Sequence, residues 1–150
     1  MLTTFRDILK GKVVIVGVGN VLKGDDSFGP VFVGKIKNKT DAVCIDAGTA
    51  PENYTGKITK ERPDTILIID VVHLDKKPGE WEILKKEDII KSGFTTHDIS
   101  PNMFIEYLEK ETGADIYLLG VQPKNLGFGD RMSKDVKNTL KELLECMKRT

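Results

Sequence analysis

Four stretches of this chain concentrate apolar residues on consecutive positions and then stop at a glycine, an acid or an amide: KVVIVGVG (12–19), AVCIDAG (42–48), TILIIDVV (65–72) and DIYLLGVQP (115–123). A strand with one face in water alternates apolar and polar residues, so runs of this kind predict strands covered on both faces. Strands of that type belong to parallel sheets, whose long crossover connections lay helices over both sides. EWEILK (80–85) does alternate, which predicts an edge strand paired antiparallel. The longest uninterrupted runs, Val13–Val16 and Ile66–Ile69, fall far short of the roughly 20 apolar residues of a membrane span.

Helical signals fill the gaps. Pro30 suits a first-turn position, so a helix is predicted to open between Asp26 and Pro30 and to reach about Lys39. Ser100 and Pro101 open a second helix that buries Phe104, Tyr107 and Leu108 and stops near Gly113. Ser133 caps the last helix, where Val136, Leu140, Leu143, Leu144 and Met147 share one face. Leu2, Phe5, Ile8 and Leu9, ahead of Gly11, read as a short amphipathic helix and lack the pattern of a cleaved leader. The expectation is an α/β fold: one three-layer α/β/α domain over residues 1–150, with a twisted, mostly parallel sheet of about five strands flanked by helices.

Lys and Arg number 23 and Asp and Glu number 23, a balance that favours neither nucleic acid nor membrane insertion. Cys44 and Cys146 have no neighbouring cysteine and are expected to be buried, reduced thiols of a cytoplasmic, monomeric protein.

In open α/β sheets, ligands bind beyond the carboxyl ends of the parallel strands. Polar residues stand at each such end here: Asn20, Asp25 and Asp26, then Asp46, then Asp70, then Gln122. Asp25 alone is explained by a helix N-cap. Asp70 follows Ile-Leu-Ile-Ile, is predicted to be buried, and needs a partner. The two histidines are His73, just past Asp70, and His97, in the loop GFTTHDISP. Two carboxylates and an imidazole would form a mixed oxygen–nitrogen site for a divalent transition metal. A dinucleotide site competes, because Gly17 and Gly19 follow a strand and Asp46 stands where a ribose-binding acid would. Against it, Leu22 occupies the third glycine's place and two carboxylates stand where a pyrophosphate would sit.

Taken together and in order, GVGNVLKGDDSFGP, IDAGTAPEN, LIIDVVHLDKKPGE, TTHDISPN and LGVQP resemble the hydrogenase maturation endopeptidases. The resemblance is to the branch that processes the large subunit of energy-converting, formate-hydrogenlyase-type NiFe hydrogenases. It implies an aspartyl-type endopeptidase that removes a C-terminal extension from a nickel-loaded precursor. It implies that Asp26, Asp70 and His97 are both the catalytic and the metal-contacting residues. Gly19, Asn20, Gly24, Asp25, Asp46, Gly48 and Thr49 would support the substrate site. No cofactor would be tightly held, the nickel being carried by the substrate, and the partner would be the large-subunit precursor. His73 matches no family position and is left as a surface residue. A non-hydrolytic nickel-sensing or precursor-binding module would use the same three residues.

Overall fold

A computed structural model of the chain describes residues 5–91 and 101–148. Five strands form one sheet: β1 (Val13–Val18), β2 (Val43–Gly48), β3 (Thr65–Val71), β4 (Trp81–Lys85) and β5 (Asp115–Val121). Their order is β2-β1-β3-β5-β4, with β4 antiparallel at the edge and every other pairing parallel. The alternating segment is therefore the antiparallel edge strand, as its pattern requires.

Alternate side chains of each central strand leave opposite faces. Val14, Val16, Ile45, Ala47, Ile66 and Ile68 pack on one side. There they meet Ile58 of α3 (Thr55–Lys60), Ile89 of α4 (Lys86–Lys91), and Phe104, Ile105 and Leu108 of α5 (Pro101–Thr112). Ile15, Leu67, Ile69, Leu119 and Val121 pack on the other side. Their partners are Phe5 of α1 (Phe5–Ile8), Phe28, Phe32 and Ile36 of α2 (Phe28–Ile36), and Val136, Leu140 and Leu143 of α6 (Lys134–Met147). Consecutive apolar positions thus serve two cores, one on each side of the sheet. No helix among the described residues is long and apolar enough to cross a membrane.

Several expectations need correction. The first crossover helix ends at Ile36, short of Lys39, and a 3-10 turn, Gly24–Ser27, precedes it. Tyr107 is 43% exposed, because Phe104, Ile105 and Leu108 already fill the sheet-facing side of α5. Cys146 is exposed and Cys44 half-buried; partial burial pushes the Cys44 thiol above its ordinary value. Ser133 stands at the N-cap of α6 but makes no side-chain cap bond. Neither α3 nor α4 was legible, since six residues hold under two helical turns of pattern. Leu2 and Ser100 lie outside the described residues.

The chain leaves β1 toward β2 on one side and returns to β3 on the other, so the carboxyl ends of β1 and β3 bound the crevice of a doubly wound sheet. Glycine lets α2 close over this point. A Cβ at Gly29 would run into the backbone carbonyls of Ile69 and Val18 and stand 2.7 Å from the Val18 nitrogen. The helix start therefore lies against the backbone of both strands with no side chain between. Gly29→Ala is expected to lower the free energy of unfolding by about 1–3 kcal/mol, because backbone, not a flexible side chain, must move. Gly34→Ala on the same helix, where a Cβ meets nothing within 4 Å, should be neutral or stabilising. Urea unfolding of the two variants in parallel checks the contrast.

Candidate active site

Asp70 is the next-to-last residue of β3 and is only 7% exposed. Strand alternation puts its side chain on the α3–α5 side, with Ile66 and Ile68. Its partner in the β5 register is Gly120, which brings no side chain against it. One carboxyl oxygen accepts the Val71 N–H at 2.7 Å, and among the described residues no Lys or Arg pairs with it. Burial holds this carboxyl well above the ordinary carboxylate range, the negative charge of Asp26 pushes it further, and the Val71 N–H opposes them. Asp70 thus keeps its proton to higher pH than a solvated acid does.

Asp26 reaches this point from the turn after β1. Its Oδ2 accepts the Asn20 N–H at 3.0 Å, and the Asn20 Oδ1 accepts the Leu22 N–H at 2.8 Å. Gly19 has φ +150°, and a Cβ there would collide with the Asp26 carbonyl, so the turn closes on itself only with glycine at that position. The Gly19 N–H donates to the Gly48 carbonyl at 2.8 Å, tying the ends of β1 and β2 together. The outcome is a half-buried acid facing a buried one. Asp70 therefore holds a proton where ordinary acids are ionised. Such a pair can supply a base and an acid at once, or receive a divalent cation that relieves the repulsion.

The other expected residues divide. Gly19, Asn20 and Gly24 belong to the Asp26 turn. Thr49 is exposed beyond β2. Asp46 is exposed and leaves the sheet on the face opposite Asp70, since Ile45 and Ala47 belong to the α3–α5 core. Its Oδ1 accepts the Gly48 N–H at 3.0 Å, shaping the strand end. Asp25 turns away altogether. It is fully buried, and its carboxylate accepts the N–H groups of Lys124 (2.9 Å), Asn125 (2.9 Å) and Ser133 (2.6 Å) and the Ser133 hydroxyl (2.9 Å). It is not a helix cap but the anchor of the 124–133 loop. His73 is exposed. His97 lies outside the described residues, among which no group of three or more His, Cys, Asp or Glu side chains is placed to hold a metal ion.

At this edge the burial of Glu52 and the role of Gln122 escaped sequence reasoning. Glu52, in the 3-10 turn Pro51–Tyr54, has both carboxyl oxygens shielded from solvent with no hydrogen-bond partner among the described residues. Glu in a Pro-Glu-Asn turn reads as a surface residue, and no local pattern signals its burial. Gln122 accepts the Leu74 N–H at 2.6 Å and so fixes the loop after β3; its position at a strand end was visible, its role was not.

Asp25→Asn should cost about 2–4 kcal/mol in urea unfolding, since an amide group must face backbone donors that a carboxylate satisfied. Asp70 behaves oppositely. A carboxyl whose value is raised in the folded chain binds its proton more tightly there than when unfolded. Its burial therefore costs nothing below the ordinary carboxylate range and costs more as pH rises through the raised value. Asp70→Asn is expected to raise the melting temperature at neutral pH and to leave it unchanged in acid. In the same measurements Asp26→Asn should lower the Asp70 carboxyl toward its ordinary value, read by NMR titration of the side-chain carbon.

Residues 33–149 match the sequence profile of HycI, described as hydrogenase maturation protease. The hydrogenase 3 maturation protease of Escherichia coli K12 is 34% identical over 135 residues, which cover 88% of this chain and 86% of its own. The crystal structure of the NiFe hydrogenase maturation protease HycI from Thermococcus kodakarensis aligns with a TM-score of 0.86 at 30% identity, over 95% of both chains. The solution structure of the endopeptidase HycI from Escherichia coli aligns with a TM-score of 0.82 at 32% identity, over 93% of this chain and 90% of its own. Sequence and fold agree along nearly the whole length, including the sheet whose crevice holds the two acids, and the chain therefore belongs to the hydrogenase maturation protease family and is a peptidase.

Proposed function

We propose that this peptidase removes a C-terminal extension from the large-subunit precursor of a NiFe hydrogenase, and that Asp26, Asp70 and His97 recognise nickel carried by that precursor. The observation that carries this reading is Asp70, buried beside a second negative charge and without a basic partner among the described residues. Buried carboxylates are ordinarily paired, hydrogen-bonded or metal-bound, and among the described residues this one has a single backbone N–H. A divalent cation arriving with the substrate supplies the missing positive charge and displaces the proton held by the pair.

Two carboxylates and one imidazole leave coordination positions open, so the precursor keeps its own hold on the ion. An ion gripped from both sides fixes the extension across Asp26 and Asp70 and orients the scissile bond. With the bond fixed, a carboxylate accepts a proton from the attacking water and returns it to the leaving amine. No tightly bound cofactor is needed in this scheme. Membership in a peptidase family sets aside the non-hydrolytic module and the dinucleotide-binding domain.

Parallel digestion of apo and nickel-loaded precursor, followed by mass spectrometry, tests the reading. Only the loaded precursor should lose its extension, and Asp26→Asn and Asp70→Asn should each slow the loss by about 100-fold or more. Equal rates on both substrates would remove nickel recognition while leaving a peptidase.

A further inference from the structure

The anchoring of the 124–133 loop by Asp25 has a consequence on the outer surface. Leu126 is 38% exposed and Phe128 75% exposed within this loop, while Val21 is 61% and Leu22 55% exposed in the turn that carries Asp26. The two segments lie side by side. The Gly129 N–H donates to the Leu22 carbonyl at 2.7 Å, and the Asp25 N–H donates to the Asn125 carbonyl at 2.7 Å. Within the loop, the Gly127 N–H donates to the Asn125 Oδ1 at 3.1 Å. The loop is held by a fully buried carboxylate, and its two apolar side chains join those of the neighbouring turn in one exposed patch. Exposed Lys23, Lys124, Asp130 and Arg131 rim the four apolar residues.

We infer that Val21, Leu22, Leu126 and Phe128 form a docking platform for an apolar segment of the large-subunit precursor next to its C-terminal extension. The inference rests on the precursor being the substrate, as proposed above. The platform is continuous with the candidate site, because the side chain of Asp26 holds the Asn20 N–H and the side chain of Asn20 holds the Leu22 N–H. A molecule that reaches Asp26 and Asp70 from this side passes over the platform. A second copy of this chain seated there would instead stand in the way of the substrate. The 23 basic and 23 acidic residues of the chain balance, so no overall charge opposes this apolar contact. The chain then grips its substrate twice, through charge at the two acids and through apolar area on the platform.

The test compares the wild-type chain with Leu126→Ser/Phe128→Ser and with the conservative Phe128→Leu, using nickel-loaded precursor. Cleavage kinetics, precursor binding by interferometry, sedimentation and melting temperature are recorded for each. The double variant is expected to raise KM and weaken binding by about 10-fold or more, with kcat within about twofold of wild type and an unchanged melting temperature. Phe128→Leu should stay near wild type. Unchanged KM and binding in a stably folded double variant would overturn the platform while cleavage by the wild type kept the function intact. Binding lost in the double variant without cleavage by the wild type would sustain the platform and remove the peptidase assignment on this substrate. A wild-type dimer dissociated by the double variant, with precursor binding unchanged, would make the patch a contact between copies and overturn the inference. A wild-type chain that neither binds nor cleaves the precursor overturns both readings.

Discussion

The close seat of α2 on the sheet sets the geometry of everything at the carboxyl edge. Gly29 lies directly against the carbonyls of Val18 and Ile69, the last residues of β1 and β3 before their polar ends. At Gly29 no side chain separates helix from sheet, so the 3-10 turn just before α2 is drawn over the crevice between the two strands. Asp26 then stands close enough to Asp70 for its charge to be felt there. A helix spaced outward by one methyl group would relax that repulsion and also widen the crevice.

Adjacent acids in that turn have opposite fates. Asp25 turns inward, and four donors from a segment about a hundred residues away meet its carboxylate. Asp26 turns toward the crevice, and its Oδ2 accepts the Asn20 N–H. A carboxylate fully supplied with donors stabilises the fold; one set beside another carboxyl weakens it, and the proposed function gives that one to substrate binding. This division explains why a glycine-rich turn carries two acids in succession. One fastens the turn to the 124–133 loop, and the other is presented by the turn so fastened.

The same contrast between acids that hold backbone donors and acids that do not runs across the edge. Asp46 and Gln122 hold backbone N–H groups of Gly48 and Leu74 and keep the neighbouring loops in place. Asp70 is the strand-end acid that is buried without a comparable set of donors among the described residues. Sites of this kind are expected where the native chain tolerates electrostatic repulsion for the sake of a ligand that removes it.

The sheet, its antiparallel edge and the burial of Asp70 were legible in the sequence because each is a local pattern. Runs of apolar residues show double-sided burial, alternation shows an edge, and an acid at the end of Ile-Leu-Ile-Ile has nowhere exposed to go. The motifs carrying Asp26, Asp70 and His97 were likewise readable as a family resemblance. Patterns shorter than a helical repeat, as in α3 and α4, were not readable, nor was the exposure of Tyr107 and Cys146, which depends on what else covers each helix. Tertiary structure alone decided which of two neighbouring acids would be the anchor. A carboxylate's role follows from the donors around it, and for Asp25 those donors are brought from the far end of the chain by the crossing of α2 and the return of β5.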